Sequence, residues 1–107
     1  MTGHSLVYVT TPDEAEAERL AREVVGQRLA ACANIIPGMR SFYRWQNKLE
    51  SAAETVLILK TTGDLAARVM EEVKRLHSYD VPCIVTLPLT GGDPDFLRWI
   101  DAETRRV

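Results

Sequence analysis

The chain alternates between short, almost wholly apolar runs and longer stretches where apolar residues return every three or four positions. Ser5 to Thr11 (SLVYVTT) holds an unbroken apolar run, Leu6 to Val9, bounded by small polar residues. Such a run marks a strand covered on both faces. Behind it, Ala17, Leu20, Ala21, Val24 and Val25 recur at helical spacing, while Glu16, Glu18, Arg19, Arg22 and Glu23 take the opposite face. This predicts an amphipathic helix, with Thr11 and Glu14 as a capping box and Pro12 at the first helical position. In CANIIPGMRSFYRWQN, Pro37-Gly38 interrupts early, and then Met39, Ser41, Tyr43 and Trp45 alternate with Arg40, Phe42, Arg44 and Gln46. A bent strand is predicted, closed by a turn at Asn47, which takes left-handed backbone at low cost. TVLILKT, Thr55 to Thr61, is a second doubly covered strand, and the pattern leaves the start of its pairing within Ser51 to Glu54 open.

Leu65, Val69, Val73 and Leu76 form the stripe of a second helix, with Arg68, Glu71, Glu72, Lys74 and Arg75 outside. CIVTLPL reads as a fourth strand broken by Pro88, and DPDFLRWI as a short terminal helix capped by Asp93 with Pro94 at its first position. The order β-α-β-β-α-β plus a helix is an α+β, ferredoxin-like arrangement in one domain, residues 1–107. Right-handed crossovers place both long helices on one face of a four-stranded antiparallel sheet. The strands with unbroken apolar runs, first and third, belong at the centre, and the two bearing prolines belong at the edges. With its turn, the hairpin of the second and third strands takes about twenty-five residues, longer at roughly 3.3 Å per residue than a two-helix layer covers. Its outer part carries Phe42, Tyr43 and Trp45. Either the terminal helix folds back over these aromatics or another copy covers them, and self-association is the expectation, since bare aromatics on an edge invite it.

Composition narrows the setting. The 107 residues are 46% hydrophobic and 26% charged, with a net charge of −2, so no positive field draws nucleic acid or an anionic membrane. No apolar run approaches the ~20 residues of a membrane span. Cys32 and Cys83 make no disulfide framework, and the four residues MTGH before the first strand are shorter than a signal peptide, so a cytoplasmic location is expected. Cys32, at the start of a buried strand, is expected as a buried, inert thiol.

Candidate chemistry is sparse. His4 sits in a terminus expected to be loose, and no phosphate-binding loop or RNA-recognition signature is present. The one notable stretch is LHSYDVPC, Leu76 to Cys83. Val81-Pro82 stops the helix. His77 can complement the helix dipole or join Cys83 as a metal ligand, although H-x5-C alone is a weak metal signal. Tyr79 and Asp80 fit either a pocket wall or a polar turn.

RLAACANIIPG (Arg28 to Gly38), SFYRWQNKLE (Ser41 to Glu50), LILKTT (Leu57 to Thr62), LHSYDVP (Leu76 to Pro82) and DPDFLRWI, in this order, closely resemble the CutA family, also called CutA1 or divalent-cation tolerance proteins. The resemblance runs from about Leu6 to Ile100. It implies a compact homotrimer, similar in architecture to the PII signalling proteins, in which long hairpins and edge strands bring three sheets together. It also implies a link to tolerance of divalent metals, copper above all. Some bacterial members are assigned a copper site from a first-strand cysteine and two histidines before the Tyr-x-x-Pro motif. The corresponding positions here are Val9, Leu76 and His77, so only His77 matches. Cys83 stands where the family often has glutamate.

Two readings of function follow. In the first, the chain is a non-enzymatic homotrimer that binds copper or a similar divalent ion through His77 and Cys83. In the second, it is a PII-like sensor holding a small anionic metabolite in a cleft between subunits, lined by Tyr43, Trp45, Lys60, His77 and Tyr79. An enzyme built on His77 as general base is not expected, because no activated nucleophile or paired acid and base is visible. A scaffold that anchors another protein stays open as a fourth role.

Overall fold

The computed structural model describes residues 2–106. Its elements are β1 (His4–Thr11), α1 (Glu14–Gly26), β2 (Cys32–Trp45), β3 (Lys48–Thr62), α2 (Ala66–Leu76), β4 (Ile84–Pro88) and α3 (Pro94–Glu103). The strands form one antiparallel sheet in the order β2-β3-β1-β4. This is the ferredoxin-like α+β arrangement, with the unbroken apolar strands central and the proline-bearing strands at the edges.

Side chains alternate across a strand, so each strand offers one set to the helices and the other to the far face. Val7 and Val9 of β1 lie in register with Leu59 and Leu57 of β3. All four are fully buried in one core with Leu20 and Val24 of α1 and Val69 and Val73 of α2. The alternate set faces away from both helices. Leu6 and Tyr8 pair with Leu87 and Val85 of β4 on that side, and Ile36 pairs with Val56. Ile36 and Val85 are each 49% exposed there, and Leu87 is also exposed. The two runs expected to be covered on both faces are therefore covered on one face only within a single chain. Among the described residues, Ile36, Val85 and Leu87 on the second face stay open.

The start of α1 corrects the expected capping box. Asp13, not Thr11, is the N-cap, its carboxylate accepting the Glu16 N–H at 2.9 Å. The Thr11 hydroxyl is buried and donates to the carbonyls of Thr55 and Asp13 at 3.0 and 3.1 Å. It is committed to tying β1 to β3, which leaves the next oxygen-bearing side chain to cap the helix. Pro12 thus precedes the cap rather than opening the helix.

The hairpin is continuous. Pairing begins at Trp45 and Lys48 and passes through Ser51 to Glu54 without a break. A bulge between Ile36 and Met39 bends β2, with Gly38 at φ +82°. Gln46 and Asn47 both have positive φ, 50° and 66°, the backbone of a two-residue turn whose twist matches the flanking strands. The hairpin stretches the molecule to 44 Å, against 25 and 22 Å in the other directions.

The terminal helix does not fold back over the hairpin. With Asp93 capping the Phe96 N–H at 3.0 Å and Pro94 in its first turn, α3 packs at the opposite end of the sheet. Arg28 donates there to the carbonyls of Ala102 and Glu103 at 2.8 and 3.1 Å. His4, expected to be loose, is buried in the same contact, with Nε2 2.8 Å from Asp101 Oδ1 and Nδ1 3.1 Å from Thr2 O. Phe42, 66% exposed, Tyr43 and Trp45 stay bare.

Candidate functional site

Where the hairpin runs past the end of β1, the loop between α2 and β4 lies beside it and the two enclose a pocket. Its volume is about 580 Å³, inside the roughly 300–1,000 Å³ of small-molecule sites. Strand register builds one wall. Met39 pairs with Glu54, Ser41 with Ala52 and Tyr43 with Glu50, and cross-strand partners share a face. Met39, Tyr43, Trp45, Glu50 and Glu54 accordingly line the pocket, with Tyr8 and Thr10 at its floor and Tyr79, Asp80 and Cys83 opposite. Three carboxylates line it, and no lysine or arginine does.

Tyr79 joins the two walls. Its hydroxyl donates to Glu54 Oε2 at 3.0 Å. Partial burial of the phenol and its bond to the Glu54 carboxylate push its pKa up to about 12, because both favour the neutral form. At neutral pH Tyr79 is thus a hydrogen-bond donor and not a phenolate base.

His77 closes α2 and anchors the loop. Nε2 lies 2.7 Å from Thr10 O. A carbonyl only accepts, so Nε2 carries the proton and Nδ1 accepts the Tyr79 N–H at 3.1 Å. Glu16 Oε2 stands 3.3 Å from Nδ1 and takes the Ser78 N–H at 3.0 Å. The His77 side chain is wholly enclosed. Its ring also sits 4.8 Å from the Tyr79 ring, centroid to centroid. The histidine therefore holds the pocket loop from beneath without lining the pocket.

The expected site residues separate into three groups. Tyr43, Trp45 and Tyr79 meet in the pocket, and Cys83 is exposed at its edge. His77 lies behind it. Lys60 is six residues along β3 from Glu54, about 20 Å away, with Nζ 5.4 Å over the Phe96 ring of α3. Cys32 pairs with Lys60 and is half-buried instead of buried, because it opens β2, the edge strand of the sheet, with a neighbouring strand on one side only. Sequence reasoning passed over Glu50, Glu54, Met39 and Tyr8. The alternation of Glu50, Ala52 and Glu54 in β3 was the available signal, and it acquires meaning only once the register sets those residues beside the aromatics.

Metal binding can be tested against these positions. Metal ligands need a free lone pair, and both His77 ring nitrogens are engaged in holding backbone. Among the described residues no three His, Cys, Asp or Glu side chains stand close enough to hold an ion. The residues of one chain do not fit a resident metal at His77 and Cys83.

Fold and site together define an open-faced ferredoxin-like domain with an acidic, aromatic-walled pocket at the root of its hairpin. Comparison with known proteins gives that class a family. The profile of the CutA1 divalent ion tolerance protein family matches residues 5–103. A divalent-cation tolerance protein CutA from Archaeoglobus fulgidus is 45% identical over 98 residues, covering 92% of this chain and 95% of its own. The protein of the same name from Escherichia coli is 44% identical over 104 residues, covering 97% and 93%. The crystal structure of CutA1 from Oryza sativa superposes with a TM-score of 0.94 at 40% identity, over the whole of both chains. This chain belongs to the CutA1 divalent ion tolerance family.

Proposed function

We propose that the chain serves the response to divalent cations as a cytoplasmic homotrimer without enzymatic activity. The observation that carries self-association is the open face of the sheet. Leu6, Tyr8, Ile36, Val85 and Leu87 lie together on strands whose sequence is apolar on both sides, yet the chain supplies helices to one side only. A contiguous apolar sheet face of this kind marks an interaction surface. A second and third copy fit it, because each brings the same bare face and the same protruding hairpin. The number three comes from the resemblance to the CutA family. A neutral Tyr79 and a histidine consumed by backbone bonds leave no evident acid–base pair, which supports a binding role.

A copper-type ion has no preformed site in one chain, so direct binding would need ligands pooled across subunits, with the exposed Cys83 thiol as a soft donor. The anionic-metabolite reading draws no support from the pocket, whose three carboxylates repel an anion. Sedimentation equilibrium tests the assembly. A mass three times the 12.0 kDa of the chain is expected, and a concentration-independent single-chain mass would overturn it. Equilibrium dialysis with Cu(II) on the same sample, against Cys83→Ser and His77→Ala, tests the ion. Loss of binding in Cys83→Ser alone supports pooled ligands, and equal binding by all three proteins rejects both residues.

A further inference from the structure

We infer that the pocket at the root of the hairpin binds a linear organic polycation of the polyamine class. This goes beyond the tolerance reading and rests on it only in that a neighbouring copy can add a wall. Three features of the pocket call for this chemistry together. Its walls are aromatic, with Tyr8, Phe42, Tyr43, Trp45 and Tyr79 all contributing. The faces of such rings attract ammonium groups and pack against methylene chains. Its charges are all of one sign, from Glu50, Glu54 and Asp80. They belong to different elements, with Glu50 and Glu54 on β3 and Asp80 on the facing loop, so they are spread along the pocket.

A compact inorganic cation would use the carboxylates and ignore the rings, while a neutral aromatic would use the rings and leave the carboxylates unpaired. A chain of methylenes with an ammonium group every few carbons uses both. Glu50 and Glu54 are four residues apart on one face of β3, roughly 13 Å along the strand, a span that the two end ammonium groups of an extended triamine approach while its middle ammonium lies over the rings between them. The chain already places a cation on one of these rings, since the Arg40 guanidinium carbon lies 5.6 Å from the Phe42 centroid. Arg40 is not itself among the lining residues. Tyr79 fixes Glu54 by its hydroxyl, and a carboxylate so held still has lone pairs for an ammonium donor.

The test is isothermal titration of the intact protein with spermidine, with magnesium chloride and tetramethylammonium chloride as separate titrants. Glu54→Gln and Trp45→Ala are titrated alongside, with sedimentation equilibrium on every sample. Spermidine is expected to bind more tightly than either control ion, with each substitution weakening it about tenfold or more, on the order of one lost charge-assisted or cation–π contact. Magnesium binding as tightly as spermidine would mean that the site reads charge alone, which overturns the proposal. So would spermidine binding that Trp45→Ala leaves unchanged, or no spermidine binding at all. If the substitutions alter the sedimentation mass and spermidine does not bind, a neighbouring copy fills the pocket and the polycation site is refuted while self-association stands. A single-chain mass throughout, with spermidine bound, sinks the trimer and leaves the polycation site intact.

Discussion

The two faces of the sheet are made of the same strands and have opposite fates. On the helix side, Val7, Val9, Leu57 and Leu59 are fully buried against α1 and α2. On the other, Ile36, Val85 and Leu87 stay exposed among the described residues, and neither long helix packs there. The strands do not distinguish the two sides by hydrophobicity. What separates them is that both crossover helices fall on one side, as right-handed connections require. The lesson is that the apolar content of a strand reports how many faces are covered in the working molecule, whereas the topology of one chain reports how many it can cover alone.

Four measurements bear on that difference. The largest effect is expected on the helix side. Leu59→Ala should cost about 2–5 kcal/mol, since it removes a fully buried side chain from a close-packed core. Urea denaturation gives the value, and a loss below about 1 kcal/mol would mean the core is looser than its burial implies. Next comes His77→Ala, which strands the Thr10 carbonyl and the Tyr79 N–H. A loss of about 1–3 kcal/mol is expected from unsatisfied buried groups, with the tyrosine fluorescence of the pocket changing as the loop loosens.

A smaller effect belongs to the pocket. Tyr79 is neutral in the folded chain up to about pH 12, against roughly 10 when unfolded. Its contribution to stability is whole below pH 10 and lost as pH rises through 12. Phenolate absorbance should therefore show a step near pH 12, and Tyr79→Phe should remove it. A titration that Tyr79→Phe leaves unchanged near pH 12 would contradict the Tyr79–Glu54 bond. The smallest effect on the fold of one chain is expected from Leu87→Glu, within about 0.5 kcal/mol, as for an exposed substitution. Yet the same change should split the assembly when sedimented. A variant that keeps full assembly mass would show that the open face lies outside the subunit contact.

The sequence made the fold readable because period, punctuation and topology agreed. Pro37 and Pro88 identified the edges, Asp93-Pro94 the last helix, and Asn47 the turn. It misplaced the cap of α1 because Thr11 and Asp13 are chemically interchangeable as caps, and only strand pairing shows that Thr11 is already engaged. The site was less legible. Within one chain Tyr43, Trp45 and Tyr79 line one pocket while Lys60 and His77 lie outside it, and a sequence shows neither the length of a strand between two residues nor which way a helix-terminal ring points.

The tight turn at Gln46 and Asn47 has a consequence for the order of folding. It makes the longest strand pair of the molecule also its most local one, because Trp45 and Lys48 meet across two residues and every later rung follows by small steps. Closing a loop so short costs little entropy, whereas β1 must wait for partners more than forty residues away, Thr55 to Thr62 and then β4. The hairpin can therefore zip on the microsecond scale of isolated hairpins, ahead of the sheet that it later joins. A substitution that forbids positive φ at Asn47 should slow refolding more than it speeds unfolding, and one in β1 should do the reverse.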